Sequence, residues 1–446
     1  MTGGYVMKRL NLVLTIMLLV MLSTTGAFAY VSDRHDFGEI DFKGATVTFV
    51  THVDSMLDPF KEGGLYAGRL EEAKELFNIG DIVVETADYF DVGEAAFNRY
   101  LAGDSQYDFW LIPQGWFWDL ASHDAFYPVS EFLPEAYFET LPPIVQAKNE
   151  ALRINGQEFH FSSGGADDYS NAKVMVVNLD IFERDNLGDP FELYLNNEWT
   201  WETVEAIARK ATRDTTGDGQ IDQWGLMKIG VEAMIMMNGG VQVREEDGYF
   251  KFTMDEPEVI EALRTYYKWH FEENFTIGDW QQIEFPAGYV AMMLTDFWTV
   301  GGTDTPYDFP YAVLPPPMGP HVDDYVYTPG GTVIMSPFIP KNAAYPEGMV
   351  ALDNFLFRLD EYWDRFDEQC VAKAPDRISY EVLRNVVEKT SPVGLYHDPI
   401  LGNEWAGDLP FGAIVAGVHE GRPPATVVNE VKAQAQAILD ELYGQK

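Results

Sequence analysis

The stretch Asp214-Thr-Thr-Gly-Asp-Gly-Gln-Ile-Asp222 spaces oxygen donors as a calcium loop does. Against the EF-hand pattern, Asp214 takes position 1, Asp218 position 5 and Gly219 the turn glycine at position 6. Gln220 offers its carbonyl at position 7, Ile221 fits the apolar position 8, and Asp222 fits position 9. Two positions depart: Thr216 stands at position 3, and Gly225 at position 12, where a bidentate glutamate belongs. Fewer charged ligands predict weak binding, in the roughly 10⁻⁴ to 10⁻³ M range of extracellular modules. The alternative is an Asp-Gly turn closing a helix with no metal. On either reading the loop is structural. Catalytic signatures are missing: there is no His-Glu-x-x-His, no Gly-x-Ser-x-Gly, no phosphate-cradling Gly-x4-Gly-Lys-Ser/Thr, and no metal-spaced histidine cluster. The two carboxylates of a glycosidase would be invisible among 71 acids.

The elements around the loop follow from local pattern. Thr200 is a good N-cap and Glu202 sits in the acidic first turn; Val204, Ile207, Ala208 and Ala211 then make one helical face. Upstream, residues 45–50 alternate like a first strand, 65–77 read as a helix, 81–86 as a strand, 94–102 as a helix and 107–112 as a third strand. That alternation predicts a parallel sheet covered by helices, with ligands held in loops past the strand ends. Trp116 and Trp118 are expected in such a loop. Residues 173–178 form another buried-strand candidate, Asp255-Glu-Pro opens a helix, and the last helix, 427–443, stops at Gly444. Leu314-Pro-Pro-Pro317 and Pro329-Gly-Gly331 are breakers that suit linkers.

The first thirty residues read as an export signal. Lys8 and Arg9 precede an apolar run from Leu12 to Leu22, and Ala27-Phe28-Ala29 is a small-x-small cleavage site, so the mature chain is expected to begin at Tyr30. No cysteine stands at the +1 position of that site, so a lipid anchor of the bacterial lipoprotein kind is not indicated. The single cysteine, Cys370, rules out an intramolecular disulfide and reads as a packed hydrophobe. A formal charge of −41 makes nucleic acid, anionic membranes and polyanionic ligands poor partners, while leaving neutral ligands unaffected and cations attracted. Most of these acids suit a solvated surface.

Several separated motifs resemble one family. The helix and loop of 198–225, AGDSQYDFW at 102–110, VVNLDIFERDNLGDP at 176–190, FPAGYVAMMLTDFW at 285–298 and PYAVLPPPMGP at 310–320 occur in the order and spacing of extracellular solute-binding proteins of the maltose-binding type, the capture subunits of ABC sugar importers. Valine and leucine replace a tyrosine and a lysine of the family pattern in 176–190. The resemblance implies an α/β, two-lobed periplasmic-binding-protein fold of type II, each lobe a mixed sheet flanked by helices and joined by a hinge. With the signal peptide at 1–29 set aside, it implies one lobe from 30–170 with 330–392, and the other from 171–329 with 393–446.

Sugars present hydroxyl edges and apolar C–H faces, so their sites need flat aromatics beside amides or carboxylates. The resemblance places a stacking tryptophan at Trp298 and polar and aromatic contacts at Gln114 and Trp116. Trp405, in a glycine-flanked loop, is a similar candidate. Asp168 and Asn171 lie near the implied hinge, and Glu232 would reach the cleft from the second lobe. The implied function is capture of a carbohydrate, favouring an oligosaccharide, by an exported, soluble monomer that delivers it to ABC permease subunits. No catalysis and no required cofactor are expected, and calcium at 214–222 would be structural. A secreted carbohydrate-active enzyme and a calcium-dependent surface or adhesion protein are the alternatives.

Overall fold

The computed structural model describes residues 28–54, 56–113, 115–161, 169–246, 248–278, 283–303, 305–327, 335–390, 401 and 409–444. Thirteen strands lie among them: β1 (Phe28–Val31), β2 (Asp36–Ile40), β3 (Thr46–Thr51), β4 (Asp81–Thr86), β5 (Asp108–Pro113), β6 (Lys173–Asn178), β7 (Trp224–Met227), β8 (Val243–Glu246), β9 (Tyr249–Phe252), β10 (Thr276–Ile277), β11 (Val290–Asp296), β12 (Tyr311–Leu314) and β13 (Met335–Phe338). Two sheets dominate. One has the order β13-β5-β3-β4, the other β10-β7-β11-β6-β12, and two small hairpins, β1-β2 and β8-β9, stand apart from them.

In the first sheet β3 pairs in parallel with both β4 and β5, as the strand–helix alternation predicts, while β13 returns antiparallel against β5. Helix Val92–Ala102 is tied to β5 by Arg99, whose guanidinium donates to the buried Asp108 carboxylate at 2.6 and 2.8 Å. The expected helix over 65–77 begins only at Arg69. Gly68, at φ +85°, turns the chain just before it, and Leu65 stays exposed.

In the second sheet β10, β7 and β11 are parallel, and β6 pairs antiparallel with β11 and β12. β6 and β11 are buried almost throughout, which their unbroken apolar runs require. Helix Trp201–Ala211 starts as its sequence dictates: the Thr200 hydroxyl accepts the Thr203 amide at 3.3 Å. Its face of Trp201, Val204, Ile207, Ala208 and Ala211 is buried. Glu205 then anchors it by accepting from Lys268 Nζ at 2.6 Å and Trp269 Nε1 at 2.8 Å.

The chain passes between the sheets more than once. It leaves the first sheet for β6, returns at β13, and packs helix Pro346–Leu356 against helix Arg69–Phe77. Helix Arg377–Glu388 touches both β12 and helix Pro143–Ala151, and helices Pro410–His419 and Pro424–Tyr443 settle on helix Pro257–Tyr267. The last helix begins three residues ahead of its expected start, with prolines at its entry. Cys370 is buried, and burial pushes its thiol up to about 12, as suits a packed hydrophobe. Among the described residues no helix is long and apolar enough to cross a membrane.

One expectation needs correction. Trp116 and Trp118 lie not in a loop but on helix Gly115–Ser122, directly after β5. The run Gly-Trp-Phe-Trp-Asp-Leu-Ala carries apolar residues on every side, so a helix buries more of it than a loop would. Phe117 stacks on Phe126 at 5.4 Å. Trp118 is 1% exposed and packs edge-on against Phe250 of β9 at 5.6 Å and Tyr443 of the last helix at 5.7 Å. This contact ties the helix after β5 to the β8-β9 hairpin and to the last helix.

Candidate functional site

Parallel strands put the segments that follow them on one end of a sheet. β7 and β11 are adjacent and parallel, so the helix after β7 and the turn after β11 share an end of the second sheet. The first carries Glu232 and the second Trp298. In the first sheet, β3, β4 and β5 likewise send His52, Tyr89 and Trp116 to a common end.

Trp298 is the most open of the candidates. Its turn is pinned from below: Phe297 is buried against Tyr169 at 5.0 Å, and the Trp298 amide donates to Ser170 O at 3.0 Å. Lys373 Nζ donates to the carbonyls of Trp298 and Val300 at 2.8 and 3.3 Å, and burial lowers its pKa. The indole itself is left 50% exposed, an aromatic face held on a fixed backbone. Asn171 is half-buried in the segment bonded to this turn, so the structure brings Asn171 and Trp298 together.

The other candidates differ. Glu232, in the first turn of helix Val231–Met237, is only 7% exposed; the helix N-terminus favours a carboxylate there, but it is not an open cleft acid. Trp116 is half-buried with its ring laid on Gly93, where a Cβ would come within 2.0 Å of the indole, so one face is already covered. Gln114, Asp168 and Trp405 lie outside the described residues.

Three residues were missed by the sequence reading. His52 follows β3 half-buried, its Nδ1 unpartnered, with burial lowering its pKa. Its ring meets Tyr89 edge-on at 5.0 Å, Tyr89 meets Phe90 at 5.1 Å, and Phe90 is 71% exposed. Their position directly after strands β3 and β4 was the available signal.

The loop 214–222 folds on its own amides. Asp214 accepts from the amides of Thr216 at 3.0 Å, Gly217 at 2.6 Å and Gly219 at 2.6 Å, which hold its carboxyl below the usual range. Asp222 accepts from the Thr215 amide and hydroxyl, both at 2.8 Å, and Asp218 from the Gln220 amide at 2.8 Å. Thr216 donates its hydroxyl to Asp214 at 3.2 Å. Among the described residues no three acids, histidines or cysteines gather as a metal site. Gly225 explains the missing glutamate. β7 crosses so close to helix Trp201–Ala211 that a Cβ at Gly225 would meet the Ala208 backbone at 2.2 to 2.5 Å. The twelfth ligand of an EF-hand does not fit here.

No family model and no curated protein matches the chain by sequence. Solved structures do match by fold. An ABC substrate-binding protein from Listeria monocytogenes, in complex with cycloalternan, is 15% identical with a TM-score of 0.60, over 90% of this chain and 100% of that one. A maltose/maltodextrin-binding domain from Bdellovibrio bacteriovorus, bound to maltotriose, is 15% identical with a TM-score of 0.59, over 89% and 99%. An ABC transporter solute-binding protein from Agrobacterium radiobacter, in complex with ribitol, is 17% identical with a TM-score of 0.60, over 89% and 100%. The fold is therefore that of the ABC substrate-binding proteins, two sheet-centred lobes joined by several chain crossings. The motifs had pointed to the maltose-binding type within this class, and the structural neighbours include that type.

Proposed function

We propose that this chain is an extracytoplasmic solute-binding protein that captures a carbohydrate between its lobes and hands it to an ABC permease. One observation carries the reading: the fold spans the full length of substrate-binding proteins whose structures hold cycloalternan, maltotriose and ribitol. The half-exposed Trp298 supports it, being fixed at the end of β11 beside the segment that enters β6. An indole face there would cover a sugar C–H face, and Asn171 would take a hydroxyl.

Capture would work by population shift: a ligand that touches both lobes binds the closed form more tightly and favours it. No covalent step is needed, so the protein is read as a binder and not an enzyme. The basic, apolar and small-residue leader supports export from the cytoplasm. The test is tryptophan fluorescence of the chain from Tyr30, titrated with neutral mono- and oligosaccharides, with product analysis of the same samples. Saturable binding with intact sugar supports capture. Released products would make it an enzyme, and silence across the panel would remove the carbohydrate.

A further inference from the structure

A recess of about 260 Å³ opens among Tyr194, Asn197, Asp324, Tyr325, Tyr327 and Lys389. It lies to one side of the Trp298 turn. In the second sheet β6 and then β12 lie beyond β11, and helix Pro190–Leu195, which carries Tyr194, packs against β12. None of the candidate sugar residues lines it. Its walls come from three parts of the chain: the end of helix Pro190–Leu195, the segment after β12, and the residue closing helix Arg377–Glu388.

The floor is aromatic, and its hydroxyls are already used. The Tyr194 and Tyr325 rings stand 5.2 Å apart, and Tyr325 donates its phenol to Tyr194 O at 3.1 Å. Tyr327 is buried and accepts from Asn385 Nδ2 at 3.4 Å. Burial pushes the Tyr325 phenol up to about 12, so it stays neutral. The rim is polar and mostly unspent. Among the described residues the Lys389 ammonium and the Asn197 side-chain amide have no hydrogen-bond partner, and Asp324 accepts only its neighbour's amide, Tyr325 N–H, at 2.7 Å. Lys389 and Asp324 form no ion pair with each other across the opening, although both line it.

We propose that this recess is a second binding site, taking a neutral polyhydroxy compound of monosaccharide size. The volume falls below the roughly 300–1,000 Å³ of pockets for drug-sized ligands, which limits the occupant to a small molecule. Tyrosine faces suit C–H surfaces. A donor, an acceptor and an amide around the rim suit hydroxyls, each of which both donates and accepts. With one ammonium and one carboxylate on its rim, the recess has no net charge to favour an anion or a cation over a neutral ligand.

The probe is D-glucose, followed by saturation-transfer NMR on the full chain carrying Trp298→Ala, which removes the first site's indole. Lys389→Met and Asp324→Asn, both at exposed positions, should each weaken glucose binding at least tenfold in that background, and Lys389→Arg should restore part of it. Glucose binding that survives both changes, or that Trp298→Ala alone abolishes, would overturn the second site. So would displacement of glucose by glycine betaine at lower concentration, which would assign the recess to a zwitterion. Trp298→Ala is the reagent that separates the two proposals: failure of capture at Trp298 leaves the Lys389 result standing, and the reverse.

Discussion

Trp118 and Trp298 both follow a strand at a sheet end where ligands are expected, yet they meet opposite fates. Trp118 is enclosed by Phe117, Phe250 and Tyr443. Trp298 projects from a turn whose neighbour, Phe297, took the buried place. The difference teaches that a tryptophan's role here is set by which adjacent residue wins the core. After β5 the whole run is apolar and the chain coils into a helix; after β11 a single ring anchors a short turn and the next ring is left over.

The largest test of this contrast is Trp118→Ala. Loss of a fully buried indole should cost about 3–5 kcal/mol in a denaturant melt, with sugar affinity unchanged in the folded fraction. Trp298→Ala should do the reverse. A tenfold loss of sugar affinity, about 1.4 kcal/mol, is expected while stability stays within about 0.5 kcal/mol. A large stability loss from Trp298→Ala would erase the distinction and make it a second core residue.

Acid sharpens the contrast differently. Burial lowers His270, beside the buried Trp269, to about 4, below its ordinary value of 6.5. The unfolded chain therefore takes up this proton first. The stability from neutral His270 is complete above pH 6.5 and is lost as pH falls towards 4. His270→Gln should flatten the melting temperature across that window, while Trp298-dependent binding keeps its own pH profile. The smallest effect is expected from calcium. A site of roughly 10⁻⁴ to 10⁻³ M affinity at about 1 mM ion adds only about 0.4 to 1.4 kcal/mol. A rise above about 5 °C would require a gathered ligand set that the loop's amide bonds do not suggest.

Much of the fold was legible. Residues 81–86 and 173–178 are strands at the expected bounds, and Thr200 caps its helix as its type and place predict, because these features depend on neighbours within a turn or a strand. The site was legible only in part. That Trp118 would be covered depends on Phe250 and Tyr443, far along the chain, and no local pattern reports them. The missing position-12 glutamate was visible, but its cause was not, because it lies in the approach of Ala208 to Gly225. His52, Tyr89 and Phe90 carry no motif; only the topology that brings β3 and β4 side by side makes them a group.

The rings of Trp118, Phe250 and Tyr443 also bear on timing. The helix after β5 cannot leave β9 and the last helix without wetting all three faces at once. Amides in those three elements should therefore exchange with solvent at one common rate, opening as a unit and not one element at a time.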